Sequence, residues 1–142
     1  MNNFLQEYLN FANKLADAAG TTSMEYFRTS LSIDNKSDES PVTIADKNTE
    51  LKIRSMIEKE YPDHGILGEE FDSINSDAEF IWVIDPIDGT RSYIAGHKDF
   101  GNLISLTQNK KPIIGIINCP AHDERWVGVR NQNSTVNQQL VN

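Results

Sequence analysis

Two aspartates follow a hydrophobic run near the middle of the sequence. The run Ile81–Ile84 leads directly into Asp85, and Asp88 follows three residues later. Unpaired charge at the end of a buried strand is costly, and a hard cation offsets that cost. Carboxylate and carbonyl oxygens are the usual ligands of Mg²⁺, which often shares its site with a substrate phosphate. The segment therefore predicts a Mg²⁺ and phosphate site, with an ordinary Asp-Pro-x-Asp-Gly turn as the structural alternative.

Neighbouring residues favour the metal site over the simple turn. Gly89 lets the backbone approach a ligand, and Thr90 begins a polar, helix-like turn whose amides suit a phosphate. A second acidic pair, Glu69-Glu70, follows another apolar stretch that ends at Gly68. Because a metal site draws carboxylates from more than one segment, this second pair strengthens the prediction.

The composition of the chain limits its partners. Its 142 residues include 13 Lys and Arg against 21 Asp and Glu, a net charge of −8. Nucleic acids and anionic membranes reward clustered basic residues, so neither is expected as the main partner. Cys119 is the only cysteine, and the three histidines show no metal-ligand spacing. With no bilayer-length apolar run and no secretory signal at the start, the sequence predicts a cytoplasmic protein.

The spacing of apolar residues predicts helices first and strands afterwards. An amphipathic helix is expected over residues 3–28, and a second from Asp46, as its N-cap, to about Glu60. Residues 65–68 form a short apolar stretch, and strands are expected at 80–84, 102–107, 113–118 and 125–129. This order predicts an α/β fold in which helices pack on a mixed or antiparallel sheet.

Taken in order, these motifs resemble those of the inositol monophosphatase family. Gly68–Glu70 and Trp82–Thr90 resemble its two signature motifs. Lys36 and Pro41–Asp46 resemble the lysine and the Thr-x-x-Asp segment that precede them. The resemblance implies the family's sugar-phosphatase fold and a Mg²⁺-dependent phosphatase in which a metal-activated water attacks a small phosphorylated alcohol.

The resemblance also implies which residues hold the metal ions. Glu69, Asp85 and the carbonyl of Ile87 would bind a first Mg²⁺. Asp85 and Asp88 would bind a second. Two metal ions of this kind acidify a water, clamp the phosphoryl oxygens and neutralise the leaving alkoxide, which is the help that phosphate monoester hydrolysis needs.

A further set of residues would handle the water and the phosphate. By the same resemblance, Thr90 paired with Asp46 would orient and activate the attacking water, with Glu70 in support. The amides of Gly89 and Thr90 would bind the phosphate beside the metal-binding aspartates. Lys36 would lie near a more labile metal position.

Three segments resemble the histidinol-phosphatase branch of the family, namely Thr90–Gly96, Phe100–Leu106 and Glu124–Gly128. They favour histidinol phosphate as the substrate, with an inositol monophosphate as the other choice. The family's later Trp-Asp-x-Ala-type motif has no counterpart, since neither Trp82 nor Trp126 is followed by Asp. The resemblance therefore covers only the N-terminal half of the family's chain.

A half-length chain carries its own expectations. Residues 1–130 would form the metal- and phosphate-binding half of the domain, and 131–142 a polar, flexible tail. Sheet surface left uncovered would invite a second copy or a complementing chain. Two alternatives stay open: a non-catalytic relative that binds metal or partners, and an aspartyl-nucleophile phosphatase. The latter is disfavoured because two residues, not one, separate Asp85 from Asp88.

Overall fold

The fold is described from a computed structural model, which covers residues 1–29 and 41–141. The elements in these ranges are α1 (Asn3–Tyr26), α2 (Pro41–Glu60), β1 (Gly65–Leu67), β2 (Phe80–Asp88), α3 (Thr90–Ile94), β3 (Gly101–Gln108), β4 (Lys111–Cys119), a 3₁₀ turn (Pro120–His122), β5 (Glu124–Val129), β6 (Thr135–Val136) and β7 (Gln139–Leu140). The predicted role of Lys36 lies outside the described residues. No described helix has the length and apolar character needed to cross a membrane.

The strands form one mixed sheet in chain order from β1 to β7. β1 runs parallel to β2, and every later neighbour is antiparallel. Asn109 and Lys110 link β3 to β4 at φ values of 49° and 66°. Positive φ at both central residues is what a tight two-residue hairpin requires. The layered α/β class expected from the sequence is confirmed.

The helices α1 and α2 cover one face of this sheet. Alanines on the inner side of α1 let that helix lie close to β3 and β4, and Ile53 and Ile57 fill the space under α2. The main cluster of buried core residues is Ala12, Leu15, Ala16, Ala19, Ile53, Ile57, Ile66, Trp82, Ile84, Ile104, Leu106, Ile113, Ile114 and Ile116, and a smaller cluster is Ala45, Ile87, Tyr93 and Phe100. Burial of these side chains is the main favourable contribution to folding.

The opposite face of the sheet stays exposed in the described part of the chain. Leu67 pairs with Val83, while Leu103, Ile117 and Trp126 occupy paired positions on β3, β4 and β5. Leu67, Ile117 and Trp126 are 50%, 49% and 38% exposed. These five residues, called the open sheet face below, line an apolar groove of about 770 Å³. A patch of this kind marks a place for another element to pack.

The start of α2 differs from the prediction. The helix begins at Pro41 rather than at Asp46, so Asp46 lies inside the helix and is not its cap. Proline suits the first turn of a helix because its φ is preset and its missing N–H has no helical partner there. The polar residues before Pro41 had instead predicted that this proline ends a loop.

The C-terminal segment also differs from the flexible tail that was expected. β6 pairs with β5, and β7 pairs back on β6. The side chain of Asn137 accepts the Arg125 N–H at 2.8 Å and donates to the carbonyl of Asp123 at 3.2 Å. Asparagine favours tight turns because it tolerates positive φ, as Asn131 and Asn137 do here. The Asn- and Gln-rich composition therefore reflects turns rather than fraying.

A buried hydrogen bond links Trp82 to His64 beneath the sheet. The indole Nε1–H of Trp82 donates to Nδ1 of His64 at 3.0 Å. Because Trp is only a donor, Nδ1 must be unprotonated in this contact. Burial lowers the pKa of His64, opposed by the charges of Asp63 and Glu79. The fold thus holds this histidine in its neutral form.

We expect the contribution of His64 to the free energy of unfolding, taken as the difference between the unaltered chain and His64→Asn, to fall as the pH drops from about 6.5, the ordinary histidine value, towards the lowered pKa of His64. In that window the unfolded chain binds a proton that the folded chain resists, at a cost of up to about 1.4 kcal/mol per pH unit. Urea unfolding between about pH 5 and pH 8 measures this dependence. His64→Asn keeps an acceptor without titrating, and an unchanged pH profile in that variant would contradict the prediction.

Candidate metal and phosphate site

The two aspartates lie where the pairing of β2 with β3 becomes irregular. β2 continues to Asp88 instead of ending at Ile84 as predicted. Asp85 pairs with Leu103 and Asp88 with Gly101, so β2 carries one extra residue in between. A bulge of this kind redirects side chains at the end of a strand. The predicted motif therefore lies on a bulged strand end.

A buried asparagine supports the bulge from within the fold. The Nδ2 of Asn102 donates to the carbonyl of Pro86 at 2.8 Å and to Oγ of Ser23 at 3.2 Å. Asn118, its partner across the β3–β4 pair, donates to Asn102 Oδ1 at 2.9 Å. These residues were not among those predicted from the sequence. The available signal was a polar residue at the inward position of two paired, apolar strands.

Gly89 turns the chain from β2 into α3. Its φ of 81° is one that residues with side chains rarely adopt, and an added Cβ would lie 2.8 Å from the carbonyl of Asp99. The Tyr93 N–H donates to the Gly89 carbonyl at 3.0 Å, and the Tyr93 hydroxyl donates to the Ser23 carbonyl at 2.9 Å. The predicted helical turn beginning at Thr90 is confirmed.

Asp85 faces other carboxylates and has an unsatisfied oxygen. Its Oδ1 is buried and has no hydrogen-bond partner. Burial raises the pKa of Asp85 to about 6, with further contributions from the charges of Glu69 and Asp88. Glu69 comes from the loop after β1, so the structure brings the two predicted acidic segments together.

Asp46 joins this group from α2. It is buried, and burial together with the charges of Glu70 and Asp85 raises its pKa to about 7. Its own charge contributes to the raised pKa of Tyr93 in α3, after the effect of burial. Asp46 therefore lies within electrostatic reach of the loop that carries Glu70, of β2 and of α3, the helix that Thr90 begins.

These carboxylates suit a hard divalent cation. Such an ion would satisfy the orphaned oxygen of Asp85 and cancel the repulsion that raises the pKa values of Asp46 and Asp85. Within residues 1–29 and 41–141, no three His, Cys, Asp or Glu side chains form a ready metal cage. The carboxylates that raise the pKa of Asp46 and Asp85 come from α2, the loop after β1 and β2, and in the described residues they do not form a ready-made metal cluster.

Gly68, the first residue of the acidic motif, has a steric requirement. A Cβ at this position would overlap the carboxylate of Glu50, a fully buried side chain of α2. We expect Gly68→Ala to lower the free energy of unfolding by about 1–3 kcal/mol, the usual cost of overpacking. Gly115→Ala is the control, because a Cβ there meets nothing within 4 Å. Urea unfolding of both variants tests this, and equal stabilities would contradict it.

With this fold and this acidic site, the chain matches known phosphatases. Residues 5–142 match the sequence model of the inositol monophosphatase family. The chain belongs to the inositol monophosphatase family, as its motifs predicted. The group of carboxylates at the end of β2 is thus consistent with membership of this family.

Three relatives show how much of a family member the chain spans. Bifunctional phosphatase IMPL2, chloroplastic, from Arabidopsis thaliana is 42% identical over 139 residues, which are 96% of this chain and 40% of the relative. Histidinol-phosphatase from Chlorobaculum parvum is 42% identical over 134 residues, 94% of this chain and 52% of the relative. The structure of an inositol monophosphatase from Zymomonas mobilis superposes with a TM-score of 0.86 at 42% identity, covering 99% of this chain and 54% of that one. The chain therefore spans about half the length of the proteins it matches.

Proposed function

We propose that this chain is the metal- and phosphate-binding part of a Mg²⁺-dependent phosphomonoesterase acting on a small phosphorylated alcohol. The observation that carries the proposal is the buried, unpartnered Oδ1 of Asp85 amid the charges of Glu69 and Asp88. Buried polar atoms in folded proteins nearly always have a hydrogen-bond partner, so this oxygen calls for an explanation, and a bound metal ion supplies one. Membership of a phosphatase family supports the same reading.

Glu69, Asp85, Asp88 and the carbonyl of Ile87 would hold the metal ions. When bound, Mg²⁺ would lower the pKa of a water and neutralise charge on the phosphoryl and leaving oxygens. The protein's part is to bring these oxygens from the loop after β1 and from the bulge of β2 to one place. The Asn102 contact to the Pro86 carbonyl fixes the bulge for this purpose.

Thr90, Asp46 and Glu70 would position the attacking water. In support, Asp46 lies within electrostatic reach of both Glu70 and Tyr93, and Tyr93 belongs to the helix that Thr90 begins. Thr90 and the preceding Gly89 would also offer backbone amides to the phosphate. Lys36 is proposed to lie near a more labile metal position, on the resemblance alone.

We infer histidinol phosphate as the substrate, and an inositol monophosphate as the second candidate. The 42% identity to a histidinol-phosphatase supports the first. The equal sequence identity to an inositol monophosphatase supports the second candidate, an inositol monophosphate, as well. The single cysteine suits a reducing, cytoplasmic compartment.

The deciding experiment is one assay panel on the 142-residue chain. Histidinol phosphate, inositol monophosphates and a nucleotide 3′-phosphate are each offered with Mg²⁺, with EDTA, and with Mg²⁺ restored. We expect hydrolysis only with Mg²⁺, and fastest for histidinol phosphate. Metal-independent hydrolysis would refute the proposed chemistry, and a faster reaction with an inositol monophosphate would refute the substrate.

Two added measurements on the same chain, Mg²⁺ binding and borohydride trapping, distinguish the two alternatives. Mg²⁺ binding without hydrolysis of any substrate would favour the non-catalytic relative. A phospho-aspartate trapped with borohydride would favour the aspartyl-nucleophile phosphatase, because direct attack by water leaves no covalent intermediate.

We further propose that the open sheet face packs against polypeptide equivalent to the rest of its relatives. The apolar groove there includes Glu69 and Asp85 in its lining, so whatever covers the face also borders the proposed metal site. About half of each matched relative lies outside the match, which is enough chain to form such a layer.

A further inference from the structure

We propose that Glu50 and Arg54 of α2 are positioning residues that hold the acidic loop, Gly68–Asp72, in the place where Glu69 serves the metal site. This inference rests on the proposed function for its consequence. The contacts that carry it are hydrogen bonds between these two side chains and the backbone of the loop.

The carboxylate of Glu50 accepts hydrogen bonds from the backbone amides of the acidic loop. Its Oε1 accepts the N–H of Glu69 at 2.7 Å and of Glu70 at 3.0 Å, and its Oε2 accepts the N–H of Phe71 at 3.1 Å. The Glu50 side chain is fully buried. Three successive amides bound to one carboxylate leave the loop little freedom to change its backbone path.

Arg54 holds the same loop by its carbonyls. Its Nε donates to Glu50 Oε2 at 2.9 Å, one helical turn away on α2. Its two terminal nitrogens donate to the carbonyls of Asp72 at 2.9 Å and of Phe71 at 3.0 Å. Glu50 and Arg54 together therefore bind both donors and acceptors of the loop backbone.

The cost of burying the Glu50–Arg54 ion pair indicates that the pair has a role besides stabilising the fold. Taking two charges out of water is expensive, and well-packed apolar residues of similar size are often as stable. Here most of the hydrogen bonds of the pair go to the backbone of the loop that carries Glu69. The close approach of Glu50 also explains why position 68 is glycine, since a side chain there would displace the carboxylate.

Helix α2 thereby aligns two parts of the site. Asp46 precedes Glu50 by four residues, so the two side chains lie on the same side of the helix. Asp46 is buried near Asp85, and Glu50 binds the loop bearing Glu69. Moving the loop relative to α2 would change the spacing between Glu69 and the carboxylates of the other two elements.

The test compares Glu50→Gln with the unaltered 142-residue chain. Glutamine has one acceptor and one donor group, so in either orientation its NH₂ meets at least one backbone N–H. We expect faster hydrogen exchange at the amides of Glu69, Glu70 and Phe71. The amide of Ile66, bound to the carbonyl of Ile74 at 3.0 Å, should keep its rate.

The second readout is the dissociation constant for Mn²⁺, a paramagnetic probe of the site, measured by electron paramagnetic resonance. We expect Glu50→Gln to weaken Mn²⁺ binding about 10- to 100-fold, as loss of a residue that orients a ligand usually does. Arg54→Lys keeps the positive charge but loses the planar guanidinium group that donates to two loop carbonyls. It should weaken Mn²⁺ binding less than Glu50→Gln does. Leu15→Ala, in the core under α1, should lower the melting temperature and leave the dissociation constant unchanged.

Each outcome decides the proposal. Normal Mn²⁺ affinity in Glu50→Gln, with or without faster exchange, would overturn the positioning role. A similar loss of affinity in Leu15→Ala would overturn it too, because general destabilisation would then explain the effect. An unaltered chain that binds no Mn²⁺ would refute the metal site of the proposed function, and the positioning role with it. If Glu50→Gln does not fold, Arg54→Lys decides by the same two readouts.

Discussion

Asp85→Asn is expected to abolish the stabilisation of this protein by Mg²⁺ while raising the melting temperature of the metal-free chain. The two effects have one cause. The carboxylate of Asp85 has a buried oxygen without a partner and is repelled by the charges of Glu69 and Asp88. It therefore destabilises the folded state when no metal ion is bound. A ligand that binds only the folded state adds about 2.7 kcal/mol when present at about 100 times its dissociation constant. Because Asp85 is proposed to bind both metal ions, removing its carboxylate removes this gain in the free energy of unfolding.

Thermal unfolding with Mg²⁺ and with EDTA measures both effects in one experiment. Asp77→Asn removes the same charge from an exposed position between β1 and β2 and serves as the control. We expect its Mg²⁺ shift to equal that of the unaltered chain. An Asp85→Asn chain that is still stabilised by Mg²⁺, or that melts lower in EDTA, would contradict the assignment of Asp85 as a metal ligand.

The local parts of the site could be predicted from the sequence. Asp85, Asp88 and Gly89 follow one another along the chain, so an apolar run followed by acids and a glycine predicts their common location. The extra residue in the β2 bulge could not be foreseen, because it depends on how Gly101 and Leu103 pair across the sheet. The alternation along β2 indicates which side chains face the core, but the position of a bulge depends on the strand that pairs with it.

The supporting residues were missed for a related reason. Glu50 looks like an ordinary helical glutamate until the fold places the acidic loop against it, 19 residues further along the chain. Asn102 and Asn118 gain their partners from α1 and β2 only when the sheet has formed. Helix propensity and polarity describe single segments, whereas these contacts join segments that are distant in sequence.

The largest effect expected outside the metal site concerns the open sheet face. When this chain is co-expressed with the part of the Chlorobaculum parvum histidinol-phosphatase that lies outside their alignment, we expect Mg²⁺-dependent hydrolysis of histidinol phosphate well above the sum of the separate parts. The physical reason is that apolar area on the open face is removed from water by its cover. The same cover would complete the surroundings of Asp85 and Glu69, which line the groove.

Ile117→Lys tests whether that face makes the contact. A lysine at the centre of the buried interface would be desolvated without a partner, so we expect at least a tenfold loss of complementation. Leu51→Lys is a matched control, because Leu51 is 48% exposed, as Ile117 is 49% exposed, but lies on α2. Equal activities for the two variants would show that another surface binds the added polypeptide. If this chain alone forms dimers and Ile117→Lys converts them to monomers, a second copy of the chain is the occupant of the open sheet face. The same apolar face would then be covered without the added polypeptide.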